Sequence, residues 1–123
     1  MFNLRKIDDF RTQVMGAKSP ATPTLPSAQS LLECLALVDE ERGELARACA
    51  SGDLVEIADA VADLIVVVTQ ITFRCGIDID AVLEEVHNSN MTKVGGKFNA
   101  AGKFVKPATY RPADVKAVLQ RKK

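Results

Sequence analysis

The sequence has no net charge, a single histidine and only three cysteines. It also has no long apolar run. Each scarcity excludes something. Lysine plus arginine balances aspartate plus glutamate at sixteen each, so overall charge gives no reason to expect a nucleic-acid or membrane partner. Cys34, Cys49 and Cys75 are odd in number and widely spaced. With no CxxC pair and no Cys/His pair they offer no zinc site, and they read as reduced thiols of a cytoplasmic chain. His87 stands alone and reads as a surface or dimer-contact residue. The apolar run Leu64–Val68 follows Asp63 and is far too short to cross a bilayer. Met1 to Lys6 lacks an apolar h-region, so no secretory signal is expected. There is no internal repeat and no low-complexity segment. At 123 residues the expectation is one domain over 1–123 with its core at about 27–95, small enough to gain from oligomerisation.

What the sequence does have is charge in blocks. From Glu33 to Glu85 thirteen acids accompany three bases, and from Val86 to Lys123 nine bases accompany one acid, Asp114. An acidic metal groove beside a basic segment suits a ligand that is itself a metal-bound polyanion. Two segments that pair with each other inside the fold would give the same distribution.

Local signals divide the chain into helices. Ile7, Phe10, Val14 and Met15 form a weak helical stripe from about Leu4 to Met15. Gly16 to Pro26 holds Pro20, Pro23 and Pro26 and reads as a connector. Ser27 is a candidate N-cap for a helix running to about Ala50, which Ser51-Gly52 ends. Asp53 starts a second helix, free of Gly and Pro as far as Cys75. The short break between them forces an antiparallel hairpin. Gly76 closes the second helix, and Asp78 or Asp80 caps a third. Lys97 to Lys106 reads as a weak hairpin around Ala101-Gly102, and Pro112 to Gln120 as a final short helix ending in Arg121-Lys122-Lys123. Gly95-Gly96-Lys97 lacks the spacing and the preceding strand of a phosphate loop.

The two central helices carry acids where a core should be. At about 100° per residue, Glu41 falls among Cys34, Leu37, Leu45 and Ala48, with Glu44 at the margin of that face. Glu40, Asp39 and Arg47 should point away as surface charges. On the second helix Glu56, Asp59 and Asp63 share one stripe, extended by Gln70, and the rest of the circumference is apolar. Buried carboxylates without cationic partners must be protonated, paired from elsewhere or bound to metal. Several converging on one groove form a hard oxygen cage suited to Mg²⁺ or Mn²⁺. The plainer alternative is that Asp53-x-x-Glu56 is a helix-start box, with Glu56 reaching back to the Asp53 N–H, and that Glu40 and Glu44 are ordinary surface acids.

Glu40-Glu41-x-x-Glu44 followed by Glu56-x-x-Asp59 resembles the signature of the all-α nucleoside triphosphate pyrophosphatases, the superfamily of MazG and of phosphoribosyl-ATP pyrophosphohydrolase. The similarity covers roughly Ser30 to Lys93, about half the chain. Gly43, inside the first motif, is a poor helix former but touches no acidic position. The resemblance implies an all-α fold with a four-helix-bundle-type core built as a homodimer or a dimer of dimers. It implies hydrolysis of a nucleoside triphosphate between the α and β phosphates, giving monophosphate and pyrophosphate, in sanitation or control of the nucleotide pool. Mg²⁺, with Mn²⁺ as a substitute, would be held by Glu41, Glu44, Glu56 and Asp59, polarising phosphoryl oxygens and acidifying an attacking water. Glu40 and Glu41 are the candidate catalytic residues, Glu40 for orienting or deprotonating that water, and Asp63 is an outer partner. Lys93, Lys97 and Arg111 would neutralise the β and γ phosphates, and Asn88 and Asn90 would contact sugar or phosphate. Two alternatives stay open: phosphoribosyl-ATP as the substrate, and a non-catalytic helical dimer that binds metal or nucleotide. No residue pattern separates one nucleobase from another.

Overall fold

The computed structural model describes residues 1–121. Among them are five helices and one small hairpin: α1 (Arg5–Gln13), α2 (Ala28–Ser51), α3 (Leu54–Arg74), α4 (Ile79–Met91), β1 (Lys97–Phe98), β2 (Phe104–Val105) and α5 (Val115–Gln120). The fold is all-α, as the acidic helices imply. No described helix is long and apolar enough to cross a membrane. The chain forms two compact units, one from Met1 to Ile79 and a second beginning at Asp80.

In the first unit α2 and α3 form the antiparallel hairpin, and α1 packs on α3. The Ser27 hydroxyl accepts from the Ser30 N–H at 3.1 Å and starts α2. Gly52 ends that helix in the left-handed conformation at φ 70°, which a residue with a Cβ adopts only at a cost. Asp53 then caps α3, its Oδ1 accepting from the N–H groups of Val55 at 2.9 Å and Glu56 at 3.3 Å. At the far end of the hairpin the Arg74 guanidinium donates to the Ser30 hydroxyl at 2.8 Å and lies 3.6 Å from Glu33. This ties the last turn of α3 to the first turns of α2. The buried residues of the pair include small ones, Cys34 and Ala48 on α2 and Ala60 on α3, with Phe73 as the large side chain. Small residues let two helices approach closely. Burial, and then Cys34 nearby, push the Cys75 thiol above its ordinary value, so it stays protonated at neutral pH.

The proline segment is a connector docked on the end of α3. The Thr24 N–H donates to the Cys75 carbonyl at 2.8 Å. Gly76, at φ 66°, lies so close that a Cβ there would sit 2.5 Å from the Thr22 carbonyl oxygen. The α1 stripe is shorter than its pattern: Val14 and Met15 fall outside the helix and are exposed. Arg11 is buried instead, donating to Asp8 at 3.1 Å and to Ser19 at 2.8 Å. Both hydrogen bonds satisfy a charge that would otherwise be costly to bury.

In the second unit β1 and β2 pair antiparallel, Lys97 opposite Val105 and Phe98 opposite Phe104. The turn between them is held by Asn99, whose Oδ1 accepts from the N–H groups of Ala101 and Lys103, both at 3.0 Å. The final helix begins at Val115 rather than Pro112. Its N-cap is Asp114, which accepts from the Ala117 N–H at 3.0 Å. The basic residues expected after it, Lys122 and Lys123, lie outside the described residues.

Glu85 joins α4 to the segment before α5. It accepts from the Arg111 guanidinium at 2.8 Å and from the Asp114 N–H at 3.1 Å. The Arg111 hydrogen bond, then that of Asp114, holds its carboxyl below the ordinary value of 4.5. A lowered folded-state pKa stabilises the fold above the ordinary value, and the benefit is lost as pH falls through the lowered one. Glu85→Gln should therefore unfold at less urea than the parent at neutral pH, with the gap closing in acid. Equal midpoints at neutral pH would show that the contact does not stabilise this unit.

Candidate active site

The α2–α3 hairpin brings Glu44 of α2 beside Glu56, Asp59 and Asp63 of α3. These four acids line one groove of about 470 Å³, together with Arg47, Ala48, Ser51 and Ala60. The arrangement follows from the caps: Gly52 reverses the chain and Asp53 restarts the helix at once, so the last turns of α2 face the first turns of α3. Asp63 lines the groove together with Glu56 and Asp59.

Glu41 is electrostatically part of this set. Its Oε2 atom is shut off from solvent and has no hydrogen-bond partner among the described residues. Burial raises its pKa, and then the like charges of Glu44, Asp63, Glu40 and Asp59 raise it further. A carboxylate oxygen with neither water nor a donor is costly, and a cation is the partner that would satisfy it. Glu40 is exposed, one residue away, and contributes to the same field. Among the described residues no three His, Cys, Asp or Glu side chains close on a single point that could hold a metal ion. The carboxylates surround the groove. Their oxygen-only chemistry and the orphaned Glu41 atom nevertheless fit a hard divalent cation.

The helix-start reading of Glu56 is only half realised. Asp53 caps the helix, but the Glu56 carboxylate accepts from the Ser51 hydroxyl at 3.3 Å, and the Asp53 N–H donates to that same hydroxyl at 3.4 Å. The cap is thus complete without the Glu56 side chain, which is left to face the groove.

Two lining residues, Arg47 and Ser51, lie outside the acidic motifs. Arg47 is exposed, as expected of a surface charge, but it also lines the groove with the acids. The signal was available, since Arg47 lies three residues after Glu44 and so shares its face. Ser51, at the helix end, donates its hydroxyl to Glu56.

The remaining candidates belong to the second unit. The Lys93 ammonium donates to Asn90 Oδ1 at 3.0 Å and lies 5.9 Å from the centre of the Tyr110 ring, which Lys106 also approaches, at 4.4 Å. Asn88 and Lys97 are exposed. Arg111 is committed to Glu85, and its main chain is held as well, its carbonyl by the Ser89 hydroxyl at 2.8 Å and its N–H by Thr92 Oγ1 at 2.9 Å. His87 is exposed.

A family model for phosphoribosyl-ATP pyrophosphohydrolase matches residues 9–90, two-thirds of the chain and the whole carboxylate hairpin. The chain belongs to that family. The phosphoribosyl-ATP pyrophosphohydrolase family is part of the MazG-like nucleoside triphosphate pyrophosphatase superfamily, so the resemblance carried by the two acidic motifs holds. The protein is a hydrolase of phosphoric anhydrides, with a nucleotide pyrophosphohydrolase type of function. No curated protein matches the chain.

Proposed function

We propose that the protein cleaves the α–β phosphoanhydride of a nucleoside 5′-triphosphate group, releasing pyrophosphate and leaving a monophosphate. The observation that carries this reading is the groove lined by Glu44, Glu56, Asp59 and Asp63, with the unpartnered Glu41 oxygen beside it. Glu41, Glu44, Glu56 and Asp59 would hold Mg²⁺, or Mn²⁺ in its place. When bound, the cation supplies Lewis-acid polarisation of the phosphoryl oxygens. The chain's own residues do the rest. Glu40, exposed and next to Glu41, can hold a water in line or take its proton. Asp63 keeps the groove anionic and, as an outer partner, can accept hydrogen bonds from water in the groove. Lys93 and Lys97 offset the charge of the β and γ phosphates. Asn88 and Asn90 can donate to sugar or phosphate. Arg111 can share in phosphate binding only to the extent that Glu85 releases it.

The family match favours one substrate within this class, phosphoribosyl-ATP, which carries the same triphosphate as an ordinary nucleotide. The deciding experiment is a panel of canonical nucleotides, modified nucleotides and phosphoribosyl-ATP with Mg²⁺, scored for pyrophosphate against orthophosphate. Orthophosphate as the first product would overturn the α–β assignment. The relative rates on phosphoribosyl-ATP and simple triphosphates decide between the two substrates.

We further propose that the active form is a homodimer or homotetramer. The exposed side of the hairpin carries Leu32 and Leu35 on α2 and Leu54, Val61, Ile65 and Val68 on α3, with Leu54 as much as 81% exposed. The α3 residues recur at helical spacing, and a stripe of that kind on one face is what a second copy of the hairpin would cover. Sedimentation at micromolar concentration should show a dimer or larger species, and Ile65→Glu should dissociate it with loss of helicity. A compact, fully helical monomer on dilution would count against this.

A further inference from the structure

We propose that Arg47 is the cation by which the carboxylate groove itself grips the substrate's phosphate chain, and that Gly43 keeps the guanidinium's seat open. The inference rests on the pyrophosphohydrolase reading above and adds a phosphate-binding residue from within the first unit.

The groove's lining holds four carboxylates and one cation, Arg47. An arginine among four acids would ordinarily pair with one of them. Arg5, Arg11, Arg74 and Arg111 each form an ion pair within 4.0 Å, and Arg47 forms none among the described residues. Its guanidinium is instead laid back along α2 by one turn. A Cβ built on Gly43 would lie 3.4 Å from Arg47 Nη1, 3.9 Å from Nη2 and 4.0 Å from Cζ. That direction is the ordinary one for a long side chain on a helix, toward the N-terminal turn. Here it leads toward the acidic motif.

The seat also accounts for Gly43. Glycine in a helix interior loses stability relative to any ordinary residue, and Gly43 sits between Glu41 and Glu44 without a positive φ to require it. A Cβ there would make only ordinary contact with the guanidinium; a branched or long side chain at 43 would reach into the volume in which it rests.

The chemistry of that group is specific. A guanidinium offers five N–H donors in a planar fork that matches two phosphate oxygens at once. Left unpaired beside carboxylates, it is unsuited to binding a metal cation but suited to the anion that arrives with one. A phosphate chain entering the groove would meet carboxylates where its cation sits and Arg47 where its own charge is uncompensated.

The test uses the full-length protein and separates the two halves of the site. Mg²⁺ or Mn²⁺ affinity without nucleotide, and inorganic pyrophosphate affinity at saturating metal, are measured by calorimetry for the parent, Arg47→Ala, Arg47→Lys and Gly43→Leu. Far-UV circular dichroism checks that each is folded. Arg47→Ala should weaken pyrophosphate binding roughly 10- to 100-fold, the usual effect of a lost charge-assisted contact. Metal affinity should hold or rise, because a cation has left an acidic groove. Arg47→Lys should recover part of the loss, keeping charge without the fork. Gly43→Leu, with Arg47 intact, should also lose pyrophosphate affinity. Parent-like pyrophosphate binding by Arg47→Ala, or a matching loss of metal affinity, would overturn the role. If the parent itself neither binds pyrophosphate nor releases it from any triphosphate, the functional reading falls and the Arg47 role falls with it.

Discussion

Glu56→Gln and Asp59→Asn should fold as the parent does and release pyrophosphate about 100-fold more slowly or worse. The scale follows from metal sites in general, where losing even an outer partner of a ligand costs about 10–100-fold, and a direct ligand should cost at least as much. The amides keep side-chain volume while removing charge, so the fold has little to lose. Asp53 caps α3 through its own Oδ1, and Glu56 takes no part in that cap beyond its main-chain N–H. Glu41→Gln should be equally slow for a further reason, because it lies at the centre of the repulsive set. Its carboxyl pKa is raised by burial and then by Glu44, Asp63, Glu40 and Asp59. A raised carboxylate pKa means that the charged form costs the fold stability above the ordinary value, and that this cost is relieved as pH falls through the raised one. Without metal, Glu41→Gln should therefore withstand urea at neutral pH at least as well as the parent. Lower activity joined to undiminished stability is the signature of a functional carboxylate. Should Glu56→Gln turn over at near-parent rates in Mg²⁺, Glu56 is a helix-start residue and the metal set must be redrawn.

Gly76→Ala should be the most destabilising single-methyl change in the first unit, at roughly 2–5 kcal/mol. About 1–2 kcal/mol of this comes from placing a Cβ in the left-handed conformation. The remainder comes from overlap, since that Cβ would lie 2.5 Å from the Thr22 carbonyl oxygen and 2.9 Å from that of Pro20, and forced overpacking costs about 1–3 kcal/mol. Gly52→Ala is the matched comparison. Gly52 has a similar φ of 70° but nothing within 4 Å of the added methyl, so only the conformational part should be felt. Urea unfolding of the two variants measures the difference. Hydrogen exchange at the Thr24 N–H, which donates to the Cys75 carbonyl, should quicken in Gly76→Ala alone. Equal losses in both variants would show that the proline segment yields easily and is not docked as tightly as the geometry indicates.

Much of the first unit was legible because its signals are local. Ser27, Gly52, Asp53 and Gly76 act on backbone groups within three or four residues of themselves, and each stands where its chemistry predicts. The acidic stripe on α3 was legible for the same reason: helical period alone puts Glu56, Asp59 and Asp63 on one side. Sequence and structure part where a side chain has a choice. The Glu56 carboxylate could reach the Asp53 N–H or the Ser51 hydroxyl, and only the folded turn decided for Ser51. Arg47 is exposed, as its class of residue usually is, and only the fold decided that it also borders the groove. In α1 the stripe pointed to Val14 and Met15 as core, but burial went to Arg11, because Asp8 and Ser19 were there to satisfy its charge.

The sequence by itself determined that the chain is helical, that two acidic helices meet in a tight antiparallel hairpin, and that their carboxylates share a groove. The two motifs pointed to the family, because period, cap and motif are all written within a few residues. Only the tertiary structure decided which carboxylate oxygen is left without a partner, that the proline segment closes on Gly76, and that the Arg47 guanidinium lies over Gly43. Those depend on which atoms from distant parts of the chain, or from alternative rotamers, occupy the same few ångströms. That competition for space and for hydrogen bonds is resolved only when the helices pack.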